Sequence, residues 1–67
     1  MEPYQERMLA ELKELGERVD KLNKFLADRN NYLDMPLEKL DFLVKQYHYM
    51  TLYEHVLRLR CNLEEIL

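Results

Sequence analysis

Only one cysteine, one glycine and two prolines occur among the 67 residues, and serine and tryptophan are absent. Since a disulfide needs two cysteines, Cys61 cannot form one within the chain. So few glycines and prolines also leave little material for the turns of a multistranded sheet. Leucine, glutamate, lysine, arginine and methionine are abundant instead, and these residues are good helix formers. The composition therefore predicts an all-α protein.

The same absences exclude most catalytic chemistry. There is no serine nucleophile, and the sequence shows no Cys–His arrangement around Cys61. His48, His55 and Cys61 follow one another at intervals of seven and six residues. Two metal ligands on one helix face are instead separated by a single turn. We therefore expect neither an enzyme nor a bound metal or cofactor.

Charge and hydropathy narrow the range of partners. Thirteen acidic and ten basic side chains alternate without long blocks and give a net charge of −3. Double-stranded nucleic acid requires a basic face that neutralises phosphates, so we expect no such partner, although a local basic pocket is compatible with this balance. No apolar run approaches the roughly 20 residues of a membrane span, and the start MEPYQERML lacks the pattern of a signal peptide. Together with the lone thiol, these features indicate a protein of the reducing cytoplasm that does not bind a membrane.

A chain of 67 residues forms one domain. A domain of this size buries only about 60% of the surface that its unfolded chain exposes. Small proteins compensate through disulfides, metals, regular helix packing or oligomerisation. Because the first two are excluded here, regular helix packing with oligomerisation remains.

The first predicted helix covers residues 3–27. Pro3 suits its first turn, because proline lacks only an N–H that has no partner there. At about 100° per residue, seven apolar side chains form a single stripe along this helix. They are Tyr4, Met8, Leu12, Leu15, Val19, Leu22 and Leu26.

Residues 28–35 form the predicted loop. The segment DRNNYLD is rich in Asp and Asn, which hydrogen-bond their own backbone and tolerate left-handed conformations. Pro36 then begins a second predicted helix over residues 36–66. A loop this short makes the two helices an antiparallel hairpin.

The second helix carries two seams, each with alternating steps of three and four residues. The first seam consists of Leu43, Gln46, Met50, Tyr53, Leu57 and Arg60. The second seam consists of Tyr49, Leu52, Val56, Leu59, Leu63 and Ile66. Such steps are typical of a helix that packs along its length against a partner.

The two seams lie roughly 100° apart, too far for one partner to cover both. One seam can face the first helix, and the other then needs a second copy of the chain. We take the second seam as the predicted oligomer interface, although the periodicity alone does not decide which seam faces inward. The fold expected is an antiparallel two-helix hairpin that assembles into a homo-oligomeric helical bundle.

Aromatic and cationic side chains supply the remaining candidate chemistry. A tyrosine can stack on a nucleobase, and an arginine can hold phosphate through two parallel hydrogen bonds. In an antiparallel hairpin, Tyr4 and Arg7 come near Arg58 and Arg60. Such a cluster at a subunit interface could hold a phosphate. The alternatives are tyrosines that only pack at an interface, surface ion pairs such as Arg7 with Glu11, and polar seam residues such as Gln46 that set register. Taken alone, the residues favour these alternatives.

Several segments nonetheless match a known pattern. They are YQER at residues 4–7, Glu11 and Leu15, KLNKFL at residues 21–26, then Leu43, Gln46, Met50, Tyr53, Leu57 and an arginine at Arg58 or Arg60. Over nearly the whole chain, this pattern resembles that of a family of very short phage proteins related to those of crAss-like phages. More loosely, the hairpin is similar to the anti-CBASS and anti-Thoeris sponges.

The resemblance implies sequestration without catalysis. Such sponges oligomerise and bind cyclic oligonucleotides or related signals in pockets between subunits, where an aromatic side chain stacks on a base and Arg or Lys holds phosphate. Carried over by position, the ligand-binding candidates are Tyr4, Arg7, Lys21, Gln46, Tyr53 and Arg60. The implied role is that of a phage anti-defence protein in the cytoplasm of the infected bacterium. The alternative is a helical adaptor or structural protein that binds a partner protein through its second seam.

Overall fold

The computed structural model describes residues 1–67 and contains two long helices and no strand. Helix α1 spans Pro3–Ala27, helix α2 spans Leu37–Leu63, and a short 3-10 turn at Arg29–Asn31 lies between them. The all-helical class predicted from composition is therefore confirmed. The Tyr4 hydroxyl near the start of α1 donates to Glu64 at the end of α2, so the helices run antiparallel. The hairpin measures 47 × 15 × 15 Å.

Local hydrogen bonds explain where α1 begins and ends. Pro3 occupies the first turn, and the Glu2 N–H donates to Gln5 Oε1 at 2.9 Å. After the helix, Asp28 Oδ1 accepts the N–H of Asn30 at 3.0 Å. Asn31 Nδ2 donates to the backbone carbonyl of Phe25 at 3.0 Å, which pairs one of the carbonyls that a helix end leaves free.

The end of α2 differs from the prediction. The helix stops at Leu63 rather than Ile66, because Glu65 adopts a left-handed backbone conformation with φ 58°. The Ile66 N–H then donates to the Cys61 carbonyl, and the Glu65 N–H donates to the Asn62 carbonyl. These two bonds define a Schellman motif, which turns the chain back over the last helical turn. Ile66, placed by the prediction in the second seam, consequently packs against the core of its own hairpin.

The core is small and lies between the two helices. Its buried side chains are Met8, Leu12, Leu15, Leu57 and Cys61. The three from α1 belong to the row of seven apolar side chains predicted for that helix. Leu9, Val19, Met50 and Ile66 cover the edges of this core.

The face of α2 that meets α1 is rotated relative to the first predicted seam. Its buried and half-buried residues at steps of three and four are Leu40, Leu43, Tyr47, Met50, Glu54, Leu57 and Cys61. The leucine and methionine positions of the predicted seam are kept, whereas Tyr47, Glu54 and Cys61 replace Gln46, Tyr53 and Arg60. The physical reason is solvation: Cys61 behaves as a small apolar residue, and the Tyr47 hydroxyl donates to Asn23 Oδ1 at 3.2 Å. Gln46 and Arg60 keep their polar groups in water.

Most of the second seam is exposed in the single hairpin. Its side chains from Tyr49 to Leu63 have about half or more of their surface in solvent, with Tyr49 66% and Leu63 86% exposed. Neither helix combines the length and the apolar character needed to cross a membrane.

Candidate ligand-binding groove

A cavity of about 430 Å³ opens between the helices, on the half of the hairpin nearest the connection. Its volume lies within the ~300–1,000 Å³ range of small-molecule sites. The lining residues are Arg18, Lys21, Leu22 and Phe25 from α1 and Leu43, Gln46 and Met50 from α2. Steps of three and four residues along each helix bring these side chains to one side of the hairpin.

Apolar and polar groups are separated within this cavity. Leu22, Phe25, Leu43 and Met50 supply apolar surface, including one aromatic face. Arg18, Lys21 and Gln46 complete the lining of what is an open surface groove. Nearly all of the surface that the lining residues present to it is apolar, so the charged and amide ends lie at its rim, exposed to solvent. Apolar surface with a few polar groups nearby is the usual composition of a ligand site.

The electrostatic character of the cavity is opposite to that of the chain. Its lining contains two cations and no carboxylate, although the chain carries a net charge of −3. The three ion pairs of the hairpin join Lys24 to Asp20, Lys45 to Asp41 and Arg58 to Glu54. None of them involves Arg18 or Lys21. Both cations are therefore available to an anionic ligand.

The Gln46 amide is also largely free. Its Nε2 donates to the Met50 sulfur at 3.7 Å, and its carbonyl oxygen has no hydrogen-bond partner in the chain. A thioether is a weak acceptor, so this contact orients the amide without saturating it. Gln46 can still donate to and accept from a ligand.

Two of the six predicted ligand-binding residues, Lys21 and Gln46, line this cavity. Tyr53 lies farther along the same side, where its hydroxyl donates to Glu11 of α1. Arg7 and Arg60 line no cavity and form no ion pair within the hairpin. The structure thus does not gather all six into one site.

Tyr4 belongs to a separate cluster at the open end of the hairpin. Its hydroxyl donates to Glu64 Oε1 at 2.7 Å, and Gln5 Nε2 donates to the same oxygen at 2.9 Å. The bond to Glu64 raises the pKa of Tyr4, and the bonds from Tyr4 and Gln5 lower the pKa of Glu64. The Tyr4 hydroxyl is therefore already bonded within the chain, and Tyr4 does not line the cavity.

Five of the residues that line the cavity were not among the predicted ligand-binding residues. They are Arg18, Leu22, Phe25, Leu43 and Met50. The spacing of three of the α1 residues that line the cavity could have indicated a shared face. Arg18, Lys21 and Phe25 recur at steps of three and four residues, beside the row of apolar side chains of α1. What the register does not show is that these residues face Gln46 on α2.

Comparison with known proteins gives one family. A family model described as Sequestin matches residues 2–63, which include both helices and every residue that lines the cavity. No curated protein and no solved structure matches the chain.

Proposed function

This chain belongs to the Sequestin family, whose name indicates a sequestering function, and we propose that it is a phage anti-defence protein that sequesters a nucleotide immune signal. The signal we propose is a cyclic oligonucleotide or a related nucleotide, bound without catalysis in the cytoplasm of the infected bacterium. The observation that supports this proposal best is the cavity between the helices, which is apolar inside and carries two unpaired cations.

The cavity offers a partner for each part of a nucleotide. The ring of Phe25 and the thioether of Met50 provide surfaces on which a base can stack. Arg18 and Lys21 can hold phosphate through charge-assisted hydrogen bonds. The Gln46 amide can both donate to and accept from a base edge. Sequestration requires only such binding, so no catalytic group is needed.

We further propose that the protein acts as a homo-oligomer through its exposed apolar residues on α2. Covering the five residues Tyr49, Leu52, Val56, Leu59 and Leu63 would bury up to roughly 600 Å² per chain, or about 1,200 Å² per pair, which is the lower limit of a stable interface. Those residues adjoin Gln46 on the helix surface, because Tyr49 is less than one turn away. A second copy would therefore lie beside the cavity and enclose its ligand.

Thermal unfolding against a ligand panel tests the proposal. The panel contains cyclic dinucleotides, cyclic trinucleotides and ADP-ribose derivatives. A ligand bound only by the folded state stabilises it by about 2.7 kcal/mol at a hundredfold excess over its dissociation constant. We expect one class to raise the unfolding temperature and the remaining classes to leave it unchanged.

Matched variants test whether the nucleotide binds in the cavity. Arg18→Ala and Lys21→Ala should each weaken binding by roughly 1.5–3 kcal/mol, the contribution of a hydrogen bond to a charged group. Lys13→Ala is the control, because Lys13 is exposed on the same helix and lies outside the cavity. An unchanged unfolding temperature across the whole panel, from folded protein, would contradict sequestration of a nucleotide.

The exposed residues of α2 also favour a second candidate, an adaptor that binds a partner protein helix. An adaptor would lose its protein partner on Leu52→Glu and would not respond to nucleotides. A sponge would lose self-association on the same change, and this difference separates the two.

A further inference from the structure

The exposed apolar residues of α2 form a continuous surface, which we name the apolar stripe: Tyr49, Leu52, Val56, Leu59 and Leu63. The stripe extends about 21 Å along the helix and contains no charged residue. It lies roughly 170° around α2 from the seam that contacts α1. The first helix of the same chain therefore cannot cover it.

We propose that the apolar stripe of one chain packs against the apolar stripe of a second copy. The two α2 helices are antiparallel, and a twofold axis passes at Val56. We further infer that Arg60 of the second copy then joins Arg18 and Lys21 at the cavity. The second inference rests on the proposed function, because it assumes an anionic ligand. The pairing itself does not.

Side-chain size favours the antiparallel arrangement. Val56 is the smallest residue of the stripe and would meet its own copy at the centre, where the two helices come closest. Tyr49 would lie against Leu63 of the second copy, and Leu52 against Leu59. A parallel arrangement would instead set each large residue against itself.

Charge favours the same arrangement. In a parallel pair, Lys45 would approach Lys45 of the second copy, and like charges at neighbouring positions are destabilising. In the antiparallel pair, Lys45, which pairs with Asp41 in its own chain, lies beside the end of the second α2, where Glu65 is exposed. The helix dipoles are also opposed there rather than aligned.

The antiparallel pair also brings the cavity sides of the two copies together. We name the edge of α2 that carries Gln46, Tyr53 and Arg60 the cavity flank, because Gln46 lines the cavity and Tyr53 reaches Glu11 on that side. A twofold axis perpendicular to both helices places the cavity flank of one copy against that of the other. In a parallel pair, each cavity flank would meet the opposite edge instead.

This register determines which cation reaches the cavity. Within one chain, Arg60 lies fourteen residues from Gln46, about 21 Å along the helix, and so it cannot reach its own cavity. Across the twofold axis at Val56, Arg60 of the second copy lies level with Leu52, and the nearest cavity residue, Met50, is about 3 Å away along the helix. The two helix axes are about 8–10 Å apart, so an extended arginine reaches a phosphate that lies at the mouth of the cavity beside Met50, but it does not reach Gln46. Arg60 forms no salt bridge in the hairpin, and its charge only helps to lower the pKa of Glu64 one turn along the helix.

Disulfide trapping tests the pairing. Val56→Cys should form a covalent dimer on mild oxidation, because residues at the axis meet their own copies within disulfide reach. Tyr49→Cys alone should stay unlinked, whereas a mixture of Tyr49→Cys and Leu63→Cys chains should form a mixed dimer. The unmodified chain is the control, since its Cys61 is 0% exposed. Linked Tyr49→Cys alone, or a monomer in sedimentation at every concentration, would overturn the antiparallel pair.

Mixing two defective chains tests whether Arg60 acts across the pair. Binding of inorganic pyrophosphate is measured by equilibrium dialysis, so the result does not depend on the base of the natural ligand. Arg18→Ala and Arg60→Ala chains should each lose binding. After subunit exchange, half of the dimers are mixed, and each mixed dimer has one intact cavity. The mixture should recover about a quarter of the original capacity.

The other outcomes overturn this assignment. If Arg60 served its own cavity, every cavity in the mixture would carry a defect and no capacity would return. Undiminished binding by Arg60→Ala chains would exclude Arg60 from the site, and no pyrophosphate bound by the unmodified chain would exclude the cation site itself. If no antiparallel dimer is trapped but the protein binds a nucleotide, only the antiparallel pair and the role of Arg60 are refuted. If the antiparallel dimer is trapped but binds no nucleotide, only the proposed sequestration of a nucleotide is refuted.

Discussion

Truncation of Leu57 should remove about half of the stability of the hairpin. Leu57 is 0% exposed and is one of only five buried side chains. Replacing a buried leucine by alanine costs about 2–5 kcal/mol, because it loses the transfer free energy of the side chain and leaves a cavity. A chain of 67 residues has a total stability of roughly 3–10 kcal/mol. Leu57→Ala should therefore lower the free energy of unfolding by about half.

Leu59→Ala is the matched control, since it makes the same chemical change two residues away on the same helix. Leu59 is 52% exposed on the apolar stripe, so in dilute protein its truncation should cost about 1 kcal/mol. At high concentration the cost of Leu59→Ala should rise, because the unmodified chain is then stabilised by its second copy.

Urea unfolding, followed by circular dichroism at low and high protein concentration, measures both effects. If Leu57→Ala cost no more than Leu59→Ala in dilute protein, the face of α2 assigned to the core would be wrong. If the cost of Leu59→Ala did not change with concentration, the apolar stripe would not be an interface.

Two further perturbations test local contacts. The hydrogen bonds from Tyr4 and Gln5 hold the pKa of Glu64 below its ordinary 4.5, so their contribution to stability is complete above that pH and is lost as the pH falls through the lowered pKa. An acid titration of unfolding stability should show this loss, and Glu64→Gln should remove that part of the pH dependence; an unaltered profile would contradict the contact. Gly16→Ala adds a Cβ 3.0 Å from Glu54 Oε2, the movable end of a side chain, while it gains up to about 1 kcal/mol of helix propensity. We expect net stabilisation in urea unfolding, larger in a Glu54→Ala background, and destabilisation there would show that the backbones are too close.

The helices themselves could be predicted because their causes are local. Pro3 begins α1, and the Asp- and Asn-rich segment separates the two helices. The row of apolar side chains along α1 determines which face of that helix is buried. Each feature depends on residues within a turn or two of one another, so the sequence carries it directly. The end of α2 was missed because Glu65 is not a residue type that usually adopts a left-handed conformation.

The candidate site could be predicted only in part. Lys21 and Gln46, which line the cavity, were among the predicted ligand-binding residues, whereas Arg18 and Phe25 were not. Whether two flanks on different helices enclose a cavity depends on how far each helix is rotated, and no local pattern encodes that rotation. Helix α2 carries two seams with the same periodicity, so the periodicity does not show which of them faces α1.

The sequence by itself determined an all-helical protein with one single-faced helix and one two-faced helix, because helix propensity and apolar spacing act along the chain. The tertiary structure decided which residues of α2 face inward. Cys61 fits the contact with α1 and Arg60 does not, since a small apolar side chain can be buried there and a guanidinium stays in water. That rotation sets Gln46 beside Arg18 and Lys21, and it leaves the apolar stripe uncovered.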